Sequence, residues 1–75
     1  MAVNPDLLAA FVQHLEDRIA QFEDDLAPLE SGKMHVGRRG PDGTWEDITA
    51  ARIVSLKNDI SSTRRTIERV KRDYA

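Results

Sequence analysis

The 75-residue sequence has no cysteine, so no disulfide can compensate for a small core. Its two histidines, His14 and His35, have no cysteine companion and no i, i+4 relation, so no metal site is expected. No stretch approaches the ~20 apolar residues of a membrane span. The opening MAVNPDLLAAF lacks the basic start and long apolar run of a secretory leader. These absences predict a cytoplasmic, bacterial-type protein without membrane association. Neither histidine has an evident nucleophile or carboxylate dyad around it, which argues against an enzyme and leaves no catalytic residue to name. Gly37, Gly40 and Gly43 follow a turn with no GK[ST] element behind it, so no cofactor-binding phosphate loop is present.

What remains is a chain that forms one domain, residues 1–75, and buries little surface by itself. With disulfides and metals excluded, a partner subunit is the natural supplement. The net charge of −2 hides a division. Residues 1–32 carry seven acids and one base, whereas residues 33–75 carry ten bases and six acids. The halves can attract each other, and the second could attract an anionic partner.

Two helical patterns share one period. Asn4 is a good N-cap, Pro5 suits the first helical position, and Asp6 favours the positive end of the dipole. Leu8, Val12, Leu15, Ile19, Phe22, Leu26 and Leu29 then alternate steps of four and three, a heptad seam. This predicts a helix over 5–31, kinked or ended near Pro28 and weakening over 26–31, with Ser31-Gly32 as its stop. Thr49 is the candidate N-cap of a second helix over 50–74, with Ile48 and Ile53 placed as a hydrophobic staple. Its seam runs Ile53, Leu56, Ile60, Thr63, Ile67, Val70 and Tyr74.

Both seams have seven members and end flush, as a chain folded back on itself requires. At ~1.5 Å rise per residue each spans roughly 32 Å. The antiparallel register sets Leu8 opposite Tyr74, Leu15 opposite Ile67, Leu26 opposite Leu56 and Leu29 opposite Ile53. It brings Asp25 near Lys57, and Glu16 and Asp17 near Arg64 and Arg65, with Arg18 beside Arg64 as a mild conflict.

The 23 residues between Leu29 and Ile53 exceed the usual helix–helix connection. Lys33–Arg38 and Thr44–Asp47 read as short strands around the turn Gly40-Pro41-Asp42-Gly43, giving a β-hairpin over 33–47. Such a hairpin is marginal alone. Trp45, Met34 and Val36 are expected to lie over Leu29, Ile48 and Ile53, the indole plugging the closed end.

The expected fold is thus mainly α, a coiled-coil-like antiparallel two-helix hairpin with a β-hairpin at the connecting tip, dimerising into a four-helix bundle. Leu7, Leu8, Phe11, Val12 and Leu15 form a face wider than the seam, with Val70 and Tyr74 beside it. Leu7, Phe11, Leu15, Val70 and Tyr74 are the candidate protein-binding residues, for a second copy or a different protein. The bases Arg64, Arg65, Arg69, Lys71 and Arg72 are either a solvated face complementing the helix terminus or a nucleic-acid contact. No aromatic is interleaved among them, which favours the first. Arg38 and Arg39 at the tip could meet an anionic partner or keep the strand edge soluble. Glu23-Asp24-Asp25 diverge around a helix and read as a solvated face.

The run Leu26-Ala27-Pro28-Leu29-Glu30-Ser31-Gly32-Lys33-Met34, followed by Trp45-Glu46-Asp47-Ile48-Thr49, resembles small uncharacterised proteobacterial proteins of rhizobial type. The paired-helix shape is also similar to conjugation antiactivators of the TraM or QseM kind, a likeness of architecture that no residue motif carries. It implies a small regulatory adaptor that binds and silences a protein partner such as a transcriptional regulator. The alternative is a nucleic-acid-binding accessory protein acting through the basic C-terminal helix.

Overall fold

The computed structural model describes residues 4–74. The chain runs α1 (Pro5–Glu30), β1 (Gly37–Arg39), β2 (Trp45–Asp47) and α2 (Thr49–Tyr74). The two helices, 26 residues each, pack antiparallel along their length, and the strands form an antiparallel hairpin at the connecting end.

The start of α1 is built as its residues dictate. The Asn4 side chain accepts the Asp6 N–H at 2.8 Å, and its carbonyl accepts the Leu8 N–H at 3.0 Å. The helix continues through Pro28 to Glu30, one residue short of the expected bound, with Leu26 and Leu29 both buried. A proline in the last turn forfeits one helical bond, to the Asp24 carbonyl, and burial of the flanking leucines outweighs that loss. The stop comes at Gly32, whose φ of 78° turns the chain away. The Pro28 carbonyl then accepts the Met34 N–H at 3.1 Å and the Ser31 hydroxyl at 3.2 Å.

The start of α2 is also shifted. The Ile48 carbonyl accepts the Arg52 N–H at 2.9 Å, so Ile48, not Thr49, is the cap residue, and the staple spacing of Ile48 and Ile53 no longer applies. The capping carboxylate is Asp47, which accepts the Thr49 N–H at 2.9 Å and the Thr49 hydroxyl. That hydroxyl also accepts the Val36 N–H at 3.0 Å, tying the tip to the second helix.

The strands are shorter than the sequence suggests, three residues each, with Gly37 opposite Asp47, Arg38 opposite Glu46 and Arg39 opposite Trp45. The turn matches expectation. The Gly43 N–H reaches the Gly40 carbonyl at 3.0 Å, and Gly43 takes a φ of 84°.

The core is one thin line of side chains. Leu15, Leu26, Leu29, Leu56, Ile60 and Ile67 are buried, and Leu56 alone is fully so. Leu26, Leu29, Leu56 and Ile60 cluster toward the closed end, with Ile19, Phe22, Val36 and Ile53 packed around them. Thr63, the polar seam member, donates its hydroxyl to the Asp59 carbonyl at 2.7 Å and so leaves no unmet group in the seam.

Trp45 does not plug this end. It is 63% exposed, and Met34 is exposed too; Val36 and Ile53 provide the cover instead. The indole lies across the strand against Gly37, where a Cβ would collide with its ring. The glycine's bare backbone offers the ring a flat surface outside the core.

The result is a rod of 56 × 26 × 16 Å with a radius of gyration of 17.1 Å. A compact chain of this length would have about 11 Å.

Candidate functional site

The open end of the rod holds the main apolar exposure. Leu7, Leu8, Phe11, Val70 and Tyr74 line one groove there. Leu7 is 69%, Phe11 46% and Tyr74 59% exposed, while Leu8 and Val70 are half-buried beneath them. On the other side of Tyr74 a second depression is lined by Pro5, Leu8, Ala9 and Val12, with Glu16 and Lys71 at its rim. The cause is local. Apolar residues at 7, 8, 11, 12 and 15 make a stripe on α1 wider than α2 can cover. Leu15 belongs to the seam instead of the surface: it is buried at 7% exposure and supports the patch from one turn inward. Of the five candidate residues, Leu7, Phe11, Val70 and Tyr74 line this one groove, and Leu15, also a member of the expected seam, lies outside it.

The two long flanks of the hairpin are unlike. One carries three ion pairs in even rungs: Glu16–Lys71 at 4.0 Å, Glu23–Arg64 at 2.9 Å and Glu30–Lys57 at 3.1 Å. Each rung joins residues seven positions from the last, always acid on α1 and base on α2. These are not the expected partners. Lys57 finds Glu30 instead of Asp25, and Arg64 finds Glu23 instead of Glu16 or Asp17. Residues that immediately follow seam positions Leu15, Phe22, Leu29, Leu56, Thr63 and Val70 lean toward one another, whereas residues level across the seam can diverge. The predicted clash of Arg18 with Arg64 is absent, because Arg18 lies over the Phe22 ring, 5.6 Å from its centroid.

The opposite flank carries Arg18 and Asp25 on α1 and Arg52 and Asp59 on α2. None of these four makes an ion pair among the described residues. Asp25 accepts only the Gln21 amide at 3.1 Å. A groove along this flank is lined by Leu15, Arg18, Phe22, Asp59, Thr63 and Thr66.

The basic group on α2 is largely engaged. Arg64 and Lys71 hold the rungs, and Arg72 touches Asp73 at 3.5 Å. Arg65 and Arg69 make no ion pair among the described residues. At the tip Arg38 pairs with Glu46 at 2.9 Å, and Arg39 stands opposite Trp45. His35 lies 3.8 Å from Asp47. Hydrogen bonds from the Thr49 hydroxyl and N–H hold the Asp47 carboxyl below the usual aspartate range, with a smaller pull from His35. The Thr44 hydroxyl and N–H do the same for Asp42.

Among the described residues no group of three His, Cys, Asp or Glu side chains could hold a metal ion, and no helix is long and apolar enough to cross a membrane. No protein-family model, curated protein or solved structure gives a significant match to this chain.

Proposed function

We propose that this is a non-enzymatic protein–protein interaction module, a small regulatory adaptor of the antiactivator type. It holds a protein partner, such as a transcriptional regulator, through the apolar open end of the hairpin. The observation that carries the reading is the grouping of exposed Leu7, Phe11 and Tyr74 around one groove at the open end, a groove that the other exposed large apolar residues, Met34, Trp45 and Val54, do not line. Large apolar and aromatic side chains of this kind are what protein interfaces concentrate at their centres. A partner helix laid into the groove, or added to the helix pair, would cover them. The engagement of Arg64, Lys71 and Arg72 with acids of the same chain supports a protein partner over a nucleic acid.

The test uses immobilised protein and a lysate of the native host, with Leu7→Asp as the paired bait. A protein held by the parent chain should be lost, at least about tenfold, from the variant, while far-UV circular dichroism stays helical. Equal retention by both baits would remove the open end from the mechanism.

A further inference from the structure

We infer that the flank bearing Arg18, Asp25, Arg52 and Asp59 receives a second copy of this chain, related by a two-fold axis along the rod so that both open ends lie together. This goes beyond the reading above and is tested separately from it.

Three observations lead there. First, the seam is unfinished. Of its fourteen residues only six are buried; Leu8, Val12, Ile19, Phe22, Ile53, Thr63 and Val70 are only half-buried and Tyr74 is exposed. Second, the chain exposes 5791 Å², against about 4,700 Å² for a compact monomer of its mass. That excess is at least the roughly 600–1,000 Å² that each partner gives up in a specific interface. Third, only one flank is free to meet a partner. The Glu16, Glu23 and Glu30 rungs already neutralise the other. In an antiparallel four-helix bundle each helix has two neighbours, one across each flank. Here one neighbour is supplied by the chain itself and the second place is empty.

Charge then selects the arrangement. The residues just before the seam on the open flank are Phe11, Arg18 and Asp25 on α1, and Arg52, Asp59, Thr66 and Asp73 on α2. With the axis along the rod, α1 lies antiparallel to α2 of the other copy at the same levels. Arg18 then faces Asp59 of the partner subunit, Asp25 faces Arg52 of the partner subunit, and Phe11 faces Thr66 of the partner subunit. Arg18, Asp25, Arg52 and Asp59 each meet an opposite charge, twice over by symmetry, while Asp73 falls level with uncharged Asn4 of the partner subunit and keeps Arg72 of its own chain. With the axis across the rod, α1 would lie against its own copy. Arg18, near the middle of Pro5–Glu30, would then meet Arg18 of the partner subunit, and Phe11 would meet Asp25 of the partner subunit. Like charges and a stranded phenyl ring disfavour that choice.

The experiment begins with light scattering at tens of micromolar, where twice the 8.5 kDa chain mass is expected. Arg18→Asp should weaken association at least about tenfold, and Arg18→Asp with Asp59→Arg should restore it. The absence of native cysteine allows a single nitroxide at Asp42→Cys, on the tip. Two labels at the same end should lie much closer than the 56 Å length of the rod. A monomeric parent, a dimer indifferent to Arg18→Asp, or label distances at or beyond that length would each overturn the inference. A monomer that still loses its protein partner on Leu7→Asp would sink the dimer and leave the interaction-module reading standing. A correct dimer that retains no partner would do the reverse.

Discussion

Leu56 and Gly37 show how differently two residues can matter in so thin a structure. Among the described residues Leu56 is the one large side chain with no exposure at all. Truncating it to alanine should cost about 2–5 kcal/mol, read as a fall in the denaturant midpoint. Val54, two residues away and 57% exposed, should lose less than about 0.5 kcal/mol in the same assay. At Gly37 the damage would come from addition. A methyl group there meets the indole of Trp45 and lies 2.7 Å from the Glu46 carbonyl. Gly37→Ala should therefore shift Trp45 emission and loosen the tip while leaving helicity intact. Trp45→Ala should rescue only part of the loss, because the carbonyl stays in the way. The carboxyls of Asp42 and Asp47 give the tip a pH dependence. Both are held below the free-residue value of 3.8, so the unfolded chain takes up protons more readily near that pH. Their stabilisation is complete above the unfolded value and disappears as pH falls through the lower, folded ones. Melting temperature should drop over that acidic range, and Asp47→Asn should flatten the drop.

Elements depend on how their ends are made and which face they turn inward. Gly32 ends α1 at a φ of 78° with open space around it. Gly32→Ala should therefore cost about 1 kcal/mol through backbone strain alone, measured by chemical denaturation. The helix pair was legible in the sequence because two seven-step heptads of equal length leave one simple way to be buried. The turn was legible because Gly40-Pro41-Asp42-Gly43 fits a single backbone path. Trp45 was not. A strand of three residues is too short for alternation to say which face meets the core, so an aromatic in it reads as core by default. The cap shift from Thr49 to Ile48 was hidden as well, since Asp47 and Thr49 are both good capping residues and only geometry separates them. Pro28 left the end of α1 open because the rule against helical proline is strict in the interior and weak in the last turn, where the helix in fact runs on to Glu30. Of the candidate surface, Leu7 and Phe11 could be read from the widened stripe on α1, and Val70 and Tyr74 from the register that lays the end of α2 beside it. Leu15 shares that stripe but is also a seam residue opposite Ile67, and it is buried there.

Considered as a whole, the molecule is a rod whose stability rests on its seam much more than on its charges. The three ionic rungs are solvent-exposed, with side chains roughly half accessible. Glu23→Gln should accordingly cost no more than about 1 kcal/mol, and added salt should mask most of that difference in thermal melts. The rungs act on orientation: all the acids lie on one helix and all the bases on the other, so a parallel or slipped pairing would lose them together.

The tight cluster of Leu26, Leu29, Leu56 and Ile60 lies toward the closed end, whereas the far end is held by half-covered Leu8, Val12 and Val70. Such a rod should behave like a zipper that loosens from its unlatched teeth. Amide deuterium uptake should be fast near Leu8 and Tyr74 and slow near Leu56, a gradient along a single molecule. The segment that greets a partner is then also the segment that yields first, so capture would tighten the very turns that thermal motion opens most often.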